Sequence, residues 1–209
     1  MGITKVAIIG AGTMGAGIAQ VCAQAGWKTN LFDAFPDGLD KGMKAIDAFW
    51  EKGIARGKTT LEQKKMWATN LHAYQDLAAA VKDVDLVIEA VPENLQLKTK
   101  IFHTLGLETK EDCILGTNTS SLSIADIAAA SGRPEKVIGM HFFNPVPIMK
   151  LLELVKHDQC SKETIDVAKE FGDAINKTTI LVNDVPGFAT SRLGVVPVSY
   201  THLRAHETV

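Results

Sequence analysis

The stretch KVAIIGAGTMGAGIAQVCAQAGWKTNLFD, residues 5 to 33, decides the fold. After Lys5 it opens on an unbroken aliphatic run without polar alternation, the pattern of a strand covered on both faces of a parallel sheet. MGAGIAQVCAQAG, residues 14 to 26, is rich in alanine with apolar residues at helical spacing, and Gly26 supplies the stop. KTNLFD, residues 28 to 33, reads as a second strand. Strand, glycine-rich turn, helix and strand within so short a span make a β-α-β unit.

The turn itself carries chemistry. GAGTMG places Gly10, Gly12 and Gly15 in G-x-G-x-x-G spacing around Ala11, Thr13 and Met14. The demands are a tight turn at Gly10, bare backbone beside a pyrophosphate at Gly12 and close helix-strand packing at Gly15, with the phosphates over a helix N-terminus. The motif alone is weak, but here a strand precedes it, a helix follows it, and Asp33 ends the next strand 18 residues after Gly15. A carboxylate there binds ribose hydroxyls. Ala34 and Phe35 follow, with no arginine for a 2′-phosphate, so NAD is the expected cofactor rather than NADP.

Working outward, residues 37 to 71 change character. Charges alternate with Leu39, Met43, Ile46, Phe49 and Trp50 at helical spacing, and GKTT interrupts the pattern. This predicts an inserted hairpin of two amphipathic helices, with Thr60 and Gln63 as a capping box for the second. Beyond it come DVDLVIEAV as strand, LQLKTKIFHTLGLET as helix, CILGTNTSS as strand running into a polar loop, LSIADIAAAS as helix and KVIGMHF as strand. The repeated order predicts an α/β, Rossmann-type, doubly wound and mostly parallel sheet.

HFFNPVPIMKLLELV, residues 141 to 155, breaks the parallel order. Only NPVPIM separates two strands, too little for a helical crossover, so they should pair antiparallel. A fold about Pro147 sets residues six positions to either side opposite one another, which pairs His141 with Glu153. A further helix, KETIDVAKEFGDAI, and a last strand, KTTILVN, complete the pattern.

In such a sheet a dinucleotide lies across the carboxyl ends of the strands. Polar residues gather there: Asp33, Glu93, Asn118 to Ser121, and His141 to Asn144. A histidine ending a strand near apolar runs is most often structural, yet four polar clusters at one edge favour a base. Alcohol oxidation leaves a hydroxyl proton to be removed, and an imidazole held in one tautomer by a carboxylate suits that task. Ser120 and Asn144 are donors placed to hold the substrate oxygen.

Together GAGTMGAGIAQVCAQAG, DLVIEAVPENLQLK, TNTSSLSI, GMHFFNPVPIMKLLELV and DVPGF closely resemble the NAD-binding domain of the 3-hydroxyacyl-CoA dehydrogenases, 3-hydroxybutyryl-CoA members included, over about residues 3 to 196. The resemblance implies oxidation of an L-3-hydroxyacyl-CoA to a 3-oxoacyl-CoA with NAD, or the reverse, in fatty-acid or butanoate metabolism. It makes His141 the general base, Glu153 its partner and Ser120 a ligand of the substrate oxygen. Gly10, Gly12, Thr13, Met14, Gly15, Asp33, Glu93, Lys98, Asn118, Ser120 and Asn144 are then the cofactor side of the site. Lys52 and Arg56, on the hairpin, match the lobe beside coenzyme A and are expected at its phosphates. Ser191 stands in GFATSRL where the family commonly has asparagine meeting the substrate. A serine is shorter, so a water-mediated contact is expected there.

The resemblance also divides the chain. Residues 1 to 185 form the NAD-binding domain, residues 186 to 196 begin a helical second domain that is otherwise largely absent, and residues 197 to 209 are expected to be an appended tail. The family's dimer interface would be missing with that domain. Two alternatives stay open: an NAD-binding fragment without turnover, or a dehydrogenase of another small hydroxy acid.

Composition excludes other classes. A net charge of -2 and a pI near 6.3 give no general attraction to nucleic acid. No apolar run approaches the roughly 18 residues of a membrane span. Cys22, Cys113 and Cys160 are widely spaced without ligand patterns, so reduced thiols and a cytoplasmic address are expected. His202 and His206 have helical spacing but no companion ligands, so no metal site is expected.

Overall fold

A computed structural model describes residues 2 to 188. Eight strands form one sheet in the order β3-β2-β1-β4-β5-β6-β7-β8. β1 (Lys5–Ile9) sits inside it, paired parallel with β2 (Lys28–Phe32) and β4 (Leu86–Glu89). Covered on both faces, its Val6, Ala7, Ile8 and Ile9 are at most 1% exposed. Burial of each large aliphatic side chain stabilises the sheet by about 1.5–3 kcal/mol, which explains why the central strands tolerate no polar alternation.

Helix α1 (Thr13–Gln24) packs one flank of the sheet and ends where Gly26 takes a φ of 90°, as its stop signal requires. α2 (Pro36–Ala55) and α3 (Leu61–Asn70) are the predicted helical pair. Gln63 N–H donates to Thr60 Oγ1 at 3.1 Å and Thr60 N–H to Gln63 Oε1 at 2.8 Å, so the capping box is formed. Trp50 against Trp67 and Lys64 against Asp47 and Glu51 join the two helices.

One difference from the sequence reading lies here. The hairpin is the crossover between two parallel strands, because β3 (Leu71–Tyr74) follows it immediately and pairs with β2 at the sheet margin. β3 and the short α4 (Leu77–Val81) carry no pattern that marks them in the sequence. LHAY is four residues with a histidine inside it and only Leu71 buried, so it offers neither alternation nor an apolar run. Its strand character comes from the vacant edge of β2.

α5 (Leu95–Glu108), β5 (Ile114–Thr117), α6 (Ile124–Ala130) and β6 (Val137–Phe142) continue the parallel order. β7 (Leu151–Lys156) then runs antiparallel to β6, with His141 opposite Glu153 as the fold about Pro147 requires. α7 (Lys162–Ala174) returns the chain so that β8 (Thr178–Asn183) lies parallel to β7. The last two strands therefore both oppose the first six. The expected second-domain start and tail, apart from residues 186 to 188, lie outside the described residues.

Candidate active site

Every strand from β1 to β6 delivers its carboxyl end to one margin, and the site is built there from loops that follow the strands. At β1 the glycine-rich turn behaves as three distinct steric requirements. Gly10 has a φ of 102°, and a Cβ on it would meet Ala90 O at 2.8 Å. At Gly15 a Cβ would sit 1.7 Å from Gly10 O, which no adjustment relieves. Gly12 differs, since a Cβ there would meet nothing within 4 Å. The space is open on the side where a pyrophosphate would approach the N-terminus of α1. No acidic residue occupies the first turn of α1, so its amide dipoles face that space unopposed.

Asp33 closes the turn from β2. Its Oδ2 accepts Ala11 N–H at 2.8 Å and its Oδ1 accepts Phe35 N–H at 2.9 Å. Two clefts meet at this point. One, of about 730 Å³, runs past Gly10, Met14, Asp33, Ala90, Val91 and Ile101. The other, of about 550 Å³, lies between α1, α2 and the β6–β7 turn, with Gly12, Thr13, Phe49 and Asn144 among its walls. Open backbone at Gly12, the helix end and Asp33 together suit a dinucleotide.

Behind the clefts stands a buried ion pair, whose two residues lie nine apart and meet only in the fold. Glu89, the last residue of β4, and Lys98 on α5 are both fully buried, with Nζ 2.7 Å from Glu89 Oε1. Thr117 Oγ1–H donates to Glu89 Oε2 and Val91 N–H to Glu89 Oε1, each at 2.7 Å. Burial raises the Glu89 carboxyl above its ordinary range even against the opposing Lys98 charge and these donors. Lys98, which the resemblance sets on the cofactor side, has no exposed surface, holds Glu89 and lies 3.6 Å from Glu93.

Glu93 passes the order on to β5. Its Oε1 accepts Thr119 Oγ1–H at 2.6 Å and Ser120 N–H at 2.9 Å. Burial pushes its carboxyl up, but these donors and Lys98 outweigh it and hold the group below the usual range. Ser120 is thus presented, exposed, by a loop whose backbone is fixed. Asn118 acts beside it as a strut, its Oδ1 accepting Phe142 N–H at 2.9 Å.

His141 emerges from β6 next to that loop. Its Nδ1 lies 2.8 Å from Glu153 Oε2, with the His141 side chain 9% exposed and Glu153 fully buried. A carboxylate only accepts, so Nδ1–H is the donor and Nε2 keeps its lone pair. Phe143 and Phe188 flank the ring at centroid distances of 4.6 and 6.0 Å. Phe188, in the DVPGF turn, is a site residue that sequence reasoning passed over as motif. Lys52 and Arg56 are exposed at the end of α2 and line neither cleft. Ser191, His202 and His206 lie outside the described residues, and no group of metal-ligating side chains occurs among the described ones.

The architecture is shared with known proteins. The family model for the 3-hydroxyacyl-CoA dehydrogenase NAD-binding domain matches residues 5 to 185. The 3-hydroxybutyryl-CoA dehydrogenase of Clostridioides difficile is 42% identical over 192 residues, covering 90% of this chain and 67% of the relative. The mitochondrial hydroxyacyl-coenzyme A dehydrogenase of Rattus norvegicus is 39% identical over 211 residues, covering 98% and 67%. The crystal structure of the (S)-3-hydroxybutyryl-CoA dehydrogenase of Ralstonia eutropha superposes with a TM-score of 0.89 at 36% identity, covering 91% and 67%.

Proposed function

The chain belongs to the 3-hydroxyacyl-CoA dehydrogenase family, and from that premise we propose that it interconverts an L-3-hydroxyacyl-CoA and its 3-oxoacyl-CoA with NAD. The observation that carries this reading is the buried His141–Glu153 pair at the same sheet edge as the glycine-rich turn. Bound NAD supplies the acceptor for the two electrons that leave the carbinol carbon. Its pyrophosphate would be held at Gly12, Thr13 and the N-terminus of α1, and a ribose by Asp33.

The chain's own groups handle the proton. With Nδ1–H committed to Glu153, the Nε2 lone pair of His141 takes the hydroxyl proton, and the buried carboxylate stabilises the imidazolium that results. In the reverse direction the same nitrogen returns it. Ser120 and Asn144 donate to the substrate oxygen as it gains carbonyl character, the first on a loop held by Glu93. The two flanking phenylalanines keep water from the imidazole.

Coenzyme A is assigned to the α2–α3 lobe, the side on which Lys52 and Arg56 are exposed at the end of α2. Among the described residues no helix is long and apolar enough to cross a membrane. Three free cysteines, two of them buried, suit the cytoplasm as the compartment of action in fatty-acid or butanoate metabolism.

The deciding assay follows NADH formation from 3-hydroxybutyryl-CoA and from free 3-hydroxybutyrate. Turnover of the CoA ester, with the free acid far slower, is expected. Comparable rates on the free acid would move the assignment to a small hydroxy-acid dehydrogenase, and NADH binding without turnover of either would leave a cofactor-binding protein.

A further inference from the structure

The turn between β6 and β7 is fastened by a residue no part of the proposed chemistry uses. Lys177, just ahead of β8, is 7% exposed, and its Nζ donates to Val146 O and, at 2.6 Å, to Met149 O. Inside the turn, Ile148 and Met149 N–H both donate to Pro145 O at 2.9 Å, so residues 145 to 149 form one coil, and the lysine caps two of its other carbonyls. Thr178 N–H donates to Lys150 O at 2.7 Å, which anchors the lysine's own backbone beside the turn.

On its other side the turn presses on α1. Val146 is buried, and a Cβ added at Gly17 would meet its Cβ at 2.9 Å. Asn144, Val146 and Pro147 form one wall of the smaller cleft, facing Gly12 and Thr13. A lysine buried among carbonyls is costly unless its donors are used, and here its hydrogen bonds are charge-assisted. Burial lowers its amine below the ordinary lysine range, and the charge of Lys150 adds to the effect. An apolar residue would fill the space without that cost, but it would leave the two carbonyls uncapped.

We propose that Lys177 is a positioning residue, which clamps the 144–149 turn against α1 and thereby sets the width of the cofactor cleft and the place of Asn144. The proposal rests on the reading of that cleft as the dinucleotide site. Its test combines hydrogen exchange at the Ile148 and Met149 amides, NADH affinity by fluorescence titration, and melting temperature, in the full chain and in Lys177→Met, Lys177→Arg and Lys150→Met. Lys177→Met should speed exchange at both amides at least tenfold and weaken NADH several-fold. Lys177→Arg, which can still donate to two carbonyls, should restore both to within about threefold, and Lys150→Met should match the parent.

Unchanged exchange in Lys177→Met overturns the clamp. Faster exchange with unchanged NADH affinity overturns its role in the cleft, and an equal loss of affinity in Lys177→Met and Lys177→Arg reduces it to general stability. If Lys177→Met does not fold, Lys177→Gln, a shorter neutral donor, is judged by the same criteria. A parent chain that binds no NADH would sink the dinucleotide reading instead, while exchange at the two amides still decides the clamp.

Discussion

Nδ1 of His141 and Oε2 of Glu153 lie 2.8 Å apart across the β6–β7 ladder, on directly opposed residues of an antiparallel pair. The backbone register makes the contact, so the dyad is as rigid as the sheet that carries it. His141→Gln should lower turnover by about 10²–10⁴-fold, the usual range for a lost acid–base group, while NADH affinity stays within about threefold. Glu153→Gln should cost turnover less, since the imidazole keeps a neighbour but loses the charge that stabilises its cation. NADH-linked rates beside fluorescence titration of the two variants check this, and an equal loss of cofactor binding would mark the histidine as structural.

The glycines of the turn should separate folding from binding. Gly12→Ala meets no atom of the protein, so its melting temperature should hold while NADH affinity falls by tenfold or more. Gly15→Ala drives a Cβ into Gly10 O and should fold poorly or not at all. Thermal melts with and without NADH distinguish the two, and a Gly12→Ala protein with parental affinity would remove the pyrophosphate from this turn.

Removing one partner of the buried pair should be expensive. Lys98→Met leaves Glu89 in the core without its counter-charge and with only hydroxyl and amide donors, a loss of about 3–5 kcal/mol. The double variant Glu89→Gln with Lys98→Met should regain part of it. Denaturant titrations of the parent, Lys98→Met, Glu89→Gln and the double variant test the coupling; additive losses would contradict it.

Asp85 predicts the acid limb. Burial works against its carboxylate, but Lys110 and the Thr4 and Lys5 amides outweigh burial and hold it at about 2. A depressed carboxylate stabilises the fold above its unfolded value of 3.8 and loses that contribution as pH falls toward 2, an increment of about 2 kcal/mol. Asp85→Asn should therefore be less stable at pH 6, and the gap to the parent should close by pH 2. A constant gap in melting temperature across that window would show that the charge is irrelevant.

Asn30, Glu89 and Lys98 show where sequence reading stops. Each sits in or beside an apolar stretch, and only the fold says that Asn30 donates to Ala80 O or that Glu89 faces Lys98. By contrast the Thr60–Gln63 box was legible because both partners lie within one helical turn. β3 was invisible for the opposite reason: four residues become a strand when a neighbouring strand offers hydrogen bonds, and nothing local announces that offer.

Local patterns in the chain specify the β-α-β unit, the glycine-rich turn followed by Asp33, and even the facing of His141 and Glu153. Periodicity, glycine spacing and the length of a turn are local properties, and a hairpin register follows from its turn. Long-range packing makes the helical hairpin a crossover, sets Lys98 against Glu89, ties the Ser120 loop to Glu93 and brings Phe188 beside the histidine. Those depend on which side chains meet across many residues of chain, and burial then fixes their charge and hydrogen bonding in ways no short stretch encodes.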